Sequence, residues 1–502
     1  MNNPFTGDKV RSFLFENKVP LFFAVVTIFT FWASDMGFSM LLNEMSIRFG
    51  RETFLVLSLL IPIIAGLGLN FGIVLGAMAA QIAMFFVILW DGSGGGGVLA
   101  IFALATPIAI VLGYLVGRLF NMMKGSEMIG GMITALFAEG FYQILFLFVF
   151  GGVFTIANAR IMTSTGVGVL NVIDIGSTPN YMRQVIDNTS ILQILDVALV
   201  VLALLVLGII IYRKIKKIPI DLKQKGFRGL VIATTAVFIV HFASGFGGII
   251  FVNDLTFLIY RDRFNALYAV WMVALVLALM QIYSIVKLKM IEKREGVPIH
   301  PLVKLGLSIL LFLATFIYDI YDGLQGLGLP VFTYLIIVGW CVAIKWLMST
   351  KLGQNMRTVG QSRPVATAAG INVDRTRIIA MILSTILAAY GQIIMVQNLG
   401  VLTVYGQHTR VGLYAIAALL VGGATVAKAS IKHAIIGIIL FHSFFILAPL
   451  ASTNLMGSPV LGEYARMFVA NAVIALALVM HAWRRVKKRK AEKADKVENA
   501  TT

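Results

Sequence analysis

Apolar runs of about 20 residues recur along the whole chain, separated by short polar segments, and each is long enough to cross a bilayer as an α-helix. The runs are continuous rather than alternating with period two, which excludes a membrane barrel. The pattern predicts an all-α, polytopic transmembrane helical bundle of about 14 spans. They fall near 20–42, 54–70, 72–91, 98–118, 128–152, 191–212, 229–248, 264–286, 301–319, 330–350, 377–397, 411–427, 431–450 and 463–483. Between the second and third, the glycine-rich Gly66-Leu-Gly-Leu-Asn70-Phe-Gly72 is the only break.

One polar segment stands apart, the 26-residue loop Lys351–Thr376. Ser362 can N-cap a helix starting at Arg363, and Pro364 suits a first turn, where its missing N–H is no loss. Gly370 supplies a left-handed residue to end that helix, and Asp374 can cap the next membrane helix at Arg375. Arg357, Arg363, Arg375 and Arg377 flank it, and its exposed face is expected to be small: Ala366, Ala368 and Ala369. Small side chains let a partner approach the backbone while the surrounding charge orients it. Two readings stay open on this geometry, a docking surface for a soluble partner and an interfacial connector without one.

Composition agrees with the membrane reading: 59% of residues are hydrophobic and 13% charged, against roughly 25% charged in soluble domains. Charge then sets the sidedness, because Lys and Arg collect in short cytoplasmic loops. With the N-terminus inside, the cytoplasmic side takes all but eight of the 41 basic residues, every lysine included. The eight are Arg48, Arg51, Arg160, Arg183, Arg261, Arg263, Arg410 and Arg466. Both termini are therefore expected in the cytoplasm. The +18 net charge reflects topology, not nucleic-acid binding, for which no folded basic soluble face is available. The first apolar stretch follows about 19 polar or mixed residues, carries Asp35 and lacks a small-residue cleavage site, so it reads as an uncleaved helix. Cys341, the one cysteine, permits no intrachain disulfide.

Outside the spans, the longest segment is the external stretch 153–190, at 38 residues too short for a soluble catalytic domain. The basic segments 213–228 and Lys287–Lys304 suit orientation and anionic lipid. Residues 1–483 read as one transmembrane domain and 484–502 as a basic cytoplasmic tail. A GxxxxGK[ST] loop is absent, as are HExxH and CxxC, so the chain reads as no enzyme, without a cofactor or metal of its own. Any ATP-driven action requires another subunit.

Polar residues inside spans usually face a bundle or cavity. Asp35, Asn70, Gln81, Glu139, Gln143, His241, Gln281, Gln392, Gln397, His442 and Asn471 are the candidates. Asn70 sits at the glycine break, where unwound backbone can line a pathway, although a helix–helix hydrogen bond would also account for it. Glu139 suits a structural role or a pathway role equally. His241 and His442 read as satisfied core histidines, and Asp35 as a pathway or interfacial residue.

The stretch from Thr350 through Lys-Leu-Gly353-Gln-Asn-Met-Arg357-Thr-Val-Gly360 and on to Ala366, Gly370, Ile371 and Val373 resembles a known cytoplasmic loop. It is that of ABC importer permeases of the ribose/simple-sugar, nucleoside and branched-chain amino acid group. The family's mid-loop asparagine is replaced by Ser362-Arg363. The Gly66–Ala77 segment and Tyr414-Ala-Ile-Ala-Ala-Leu-Leu-Val-Gly422-Gly423 are similar to two further family segments, and Ser126–Thr134 is loosely similar to a third. The likeness covers about 60–152 and 330–480, and 190–325 reads as an insertion with extra spans beside ten or so of family type.

The resemblance implies a multi-pass subunit of a bacterial cytoplasmic (inner) membrane. The loop would be a coupling helix seated on a separate ATPase, through Arg357, Gly360, Arg363, Ala366, Ala368, Gly370 and Ile371. It further implies a second permease, the same chain or a related one, and an external substrate-binding protein. ATP would be hydrolysed by the partner. The solute would be small and polar, a simple sugar or nucleoside before a branched-chain amino acid, and would pass near Asn70, Glu139, Gln143 and Gln392. The competing reading is a secondary transporter coupled to H⁺ or Na⁺ through Glu139 or Asp35.

Overall fold

The architecture comes from a computed structural model that describes residues 17–123, 125–154, 156, 160–164, 166–177, 181–189, 191–215, 231–232, 234–235, 238–239, 263–286, 299–476 and 479. The expected span 229–248 with His241, the 484–502 tail and most of the basic segment 213–228 lie outside the described residues. The chain divides into two compact units, one formed by Met1–Val185 with Ile337–Thr502 and the other by Ile186–Ile336.

The first unit opens with α1 (Lys18–Ser34), which ends at Asp35 in a left-handed conformation, φ 50°. Then come α2 (Phe38–Ser58), the short α3 (Leu60–Ile64), α4 (Ile73–Leu89), α5 (Gly94–Met122) and α6 (Glu127–Ile144), which continues as π-helix over Leu145–Val153. Strand β1 (Val172–Asp174) follows. The second unit carries α7 (Ile191–Ile215), β2 (Arg263–Asn265), α8 (Ala266–Val286), α9 (Ile299–Ala314), α10 (Tyr318–Gln325) and β3 (Gly328–Pro330). Helix α11 (Val331–Ser349) leads back to the first unit and to α12 (Lys351–Gln361), α13 (Arg363–Ala368) and α14 (Val373–Leu399). The remaining elements are β4 (Val401–Thr403), α15 (Gln407–Val421), α16 (Ile431–Met456) and α17 (Pro459–Leu476).

Among the described residues, seven helices are long and apolar enough to cross a membrane: α5, α6 with its π-helical extension to Phe150, α8, α11, α14, α16 and α17. Most of the expected spans coincide with helices. Around the start of the chain the outcome differs. The span expected at 20–42 is cut at Asp35, and polar 43–53, expected as a loop, is helical within α2. The span expected at 54–70 is the end of α2, the single turn of α3 and a coil through Asn70. A helix satisfies its own backbone groups whatever its side chains, so Asn43, Glu44, Arg48, Arg51 and Glu52 do not interrupt α2.

The core of the first unit forms around α4 and α14. Helix α4 is apolar on all sides and buried along nearly its whole length, which places it at the centre, against α5, α14 and α15. Small residues bring the backbones together. A Cβ on Gly76 of α4 would lie 2.6 Å from Ala388 Cβ of α14. Gly113 and Gly117 of α5 face Ile382 Cα and Ile378 Cα of α14, where added Cβ atoms would sit at 2.8 and 3.0 Å. Helix α16 packs on α1, α2 and α15.

In the second unit α8 packs on α9, with Trp271 Nε1 donating to Thr315 Oγ1 at 2.9 Å and stacking on Phe316. Strand β2 pairs antiparallel with β3. Asp187 accepts a hydrogen bond from the Thr333 hydroxyl.

Candidate functional site

Thr350 caps α12, its side chain accepting from Gly353 N–H at 3.3 Å. That helix is amphipathic, burying Gly353, Met356 and Val359 and leaving Gln354 and Arg357 exposed. The sequence pattern predicts loop here, because the segment's apolar residues are few. Three on one face suffice once another element covers them. Ser362 caps α13 as expected, accepting from Val365 N–H, Pro364 lies in the first turn, and Gly370 is left-handed at φ +75°. The next cap differs. Asn372, not Asp374, caps α14 by accepting from Arg375 N–H at 2.9 Å, and Asp374 lies in the first turn. The small face is also redistributed. Ala366 is fully buried, so the outward surface of α13 is Val365 (59% exposed), Thr367, Ala368 and Ala369.

This pair of helices is fixed to the glycine break. Gly66, at φ +72°, and Gly360 of α12 meet backbone to backbone, and a Cβ on Gly66 would lie 2.7 Å from Gly360 Cα. A Cβ on Gly360 would run into the Ile64 carbonyl oxygen and lie 3.1 Å from Gly66 N. Beyond the turn, Gly68 abuts Met128 and Gly131 abuts Phe71, so the break also rests on the first turns of α6.

Glu127, the first residue of α6, joins the assembly. Its Oε1 accepts from Arg363 of α13 and, at 2.6 Å, from Arg377 of α14. Its Oε2 accepts from Gly125 N–H at 2.9 Å. Arg377 is the largest fully buried side chain among the described residues, and it also donates to Phe120 O at 3.3 Å. The flanking arginines therefore differ in use: Arg357 and Arg375 are exposed, whereas Arg363 and Arg377 are held by one carboxylate.

A second polar cluster lies farther along α6. Glu139 Oε2 meets His408 Nε2 and accepts from Thr409 Oγ1 at 2.7 Å, while Gln143 Nε2 donates to Oε1 at 2.9 Å. Tyr142 packs on His408 with ring centroids 4.7 Å apart. Gln81 Nε2 of α4 donates to Thr403 O at 3.1 Å and to Gln407 Oε1 at 3.3 Å. Three buried polar atoms here, Tyr142 Oη, Gln81 Oε1 and His408 Nδ1, have no hydrogen-bond partner.

The remaining pathway candidates are dispersed. Asn70 is fully buried and donates to Ser384 Oγ at 3.2 Å, which in turn donates to Ser58 O. Gln392 is fully buried with neither amide atom partnered. Gln143 and Asp35 are exposed.

At the far end of α14, about 40 Å from α13 at 1.5 Å per residue, β1 of the 153–190 stretch pairs antiparallel with β4, Val172 opposite Thr403. Val404 N–H donates to Asn171 O and Tyr405 Oη to Val169 O. Asp174 is held below the usual carboxylate range by the Gly176 N–H, at 2.7 Å, and the Ser177 hydroxyl.

Glu127 and His408 are site residues that the sequence pattern does not mark as such. Glu127 had a usable signal: acidic residues number only 23, and this one opens a span just after the basic Arg118–Lys124 segment.

Long apolar helices packed through glycines, with polar groups held between them, define a multi-pass helical membrane protein. Residues 229–478 match the family described as the branched-chain amino acid transport system / permease component. The chain belongs to this family of ABC-transporter permeases, which also serves simple sugars, and is a transporter membrane subunit rather than an enzyme. Membership implies association with ATPase and substrate-binding components. Searches of curated proteins and of solved structures gave no match.

Proposed function

We propose that the chain forms the translocation pathway of an ATP-binding-cassette importer and couples to a separate ATPase through 351–376. A second permease and an external binding protein complete the machine, and the solute is small and polar, a simple sugar or nucleoside in preference to a branched-chain amino acid. The observation that carries this reading is α13. It is short, capped at both ends, exposes Val365, Ala368 and Ala369 between arginines, and is anchored beneath by Arg363 and Ala366. A connector without a partner has no need of a rigid, anchored small-residue face. Solute would pass Asn70, Glu139, Gln143 and Gln392 at separate points along the bundle.

The test places single cysteines at Val365 or Ala368 in a Cys341→Ser background, co-expressed with the partner ATPase subunit. Crosslinking to the ATPase is expected, along with ATP-dependent uptake of labelled ribose or uridine into vesicles supplied with the binding protein. Uptake by the purified chain alone on a pH or Na⁺ gradient would overturn the reading and favour ion coupling through Glu139.

A further inference from the structure

Glu127 and Glu139 lie on one helix, about 18 Å apart at 1.5 Å per residue. Each is the point where α6 is tied by polar contacts to another element: Glu127 to α13 and α14, Glu139 to the start of α15. Between them α6 is lightly held. It buries Gly130, Gly131 and Ala138 on one edge and exposes Ile129, Met132, Ile133, Leu136 and Phe137 on the rest. A helix resists compression and bending through its own hydrogen bonds, so a displacement imposed at one end is delivered to the other.

We propose that Glu127 is a positioning residue that joins α13 to α6, so that movement of α13 shifts Glu139 relative to His408 and Thr409. This rests on reading α13 as the ATPase-docking helix. The joint uses one carboxylate oxygen for two guanidinium groups. Arg377 is fully buried and belongs to the fixed core helix α14, whereas Arg363 is partly exposed on α13. The Arg377 contact seats Glu127, and the Arg363 contact transmits.

Arg363→Gln separates these roles, because it leaves the buried Glu127–Arg377 pair intact. The importer should still assemble and the ATPase still co-purify, because the outward face of α13 at Val365, Ala368 and Ala369 is untouched, and the melting temperature should be little changed. ATP-driven uptake of ribose or uridine should fall by about tenfold, within the range measured for directly interacting charged residues. Arg363→Lys should restore most of it, since Arg363 reaches Glu127 through a single nitrogen that an ammonium can replace. A double-mutant cycle with Thr409→Val adds a readout that packing would not move. Sites so far apart are normally additive, whereas transmission along α6 makes their effects on ATPase stimulation non-additive. Wild-type uptake in Arg363→Gln, additive effects in the cycle, or a loss tracking melting temperature without rescue by Lys would each overturn the joint. If the ATPase fails to associate even with the wild-type chain, the docking reading itself fails.

Discussion

Gly360→Ala tests the seat of α12 on the glycine break with a single methyl group. That methyl would run into the Ile64 carbonyl oxygen and lie 3.1 Å from both Gly66 N and Ile64 C. Optimal carbon contacts lie near 3.5–4.0 Å, so clearing the carbonyl oxygen requires α12 to retreat by about 1 Å. Neither side yields easily, since the obstructing atoms are backbone and Gly66 is already in a left-handed turn. Overpacking of this kind costs about 1–3 kcal/mol. Alanine recovers up to about 1 kcal/mol of helix propensity over glycine. The net loss of stability is then about 0–3 kcal/mol, small enough for the protein to fold. The geometry of the seat, however, is lost. Reconstituted importer should therefore lose most ATP-driven uptake while its melting temperature drops only slightly. Gly140→Ala is the control, because nothing lies within 4 Å of a Cβ there. Uptake by Gly360→Ala equal to that of Gly140→Ala would refute the reasoning.

Three further outcomes are expected. Glu127→Ala leaves Arg377 buried with no carboxylate, a change that costs roughly 3–5 kcal/mol; melting of the detergent-solubilised protein should fall sharply, and Arg377→Met in the same chain should recover part of it. Asn372→Ala should cost about 0.5–2 kcal/mol as a lost N-cap, and Asp374→Ala less, whereas the reverse order in melting temperature would return the cap to Asp374. Cysteines at Val172 and Thr403, directly opposite in β1 and β4, should form a disulfide under mild oxidation that is visible as a gel shift; no shift would count against the pairing.

The capped α13 was legible because its signals are local: Ser362, Pro364 and Gly370 act on their own backbone within a turn. The long apolar helices were legible for a similar reason, since length and apolarity are properties of a segment. Helix α12 was not, because Met356 and Val359 announce a helix only once the fold buries them. Asn372 and Asp374 both suit an N-cap, and the choice between them turned on where α14 starts. For Glu127, its charge was visible, but its two partners lie more than 230 residues away in sequence.

The sequence by itself determined that this is a multi-pass helical membrane chain, and that 351–376 holds a short capped helix. Those conclusions follow from burial in lipid and from backbone hydrogen bonding within single segments. Only the tertiary structure decided that Gly66 meets Gly360, that one carboxylate serves Arg363 and Arg377, and that Glu139 faces His408. Each depends on which helices lie side by side. That arrangement is set by glycine contacts such as Gly76 on Ala388 and Gly113 on Ile382, whose partners no local pattern identifies.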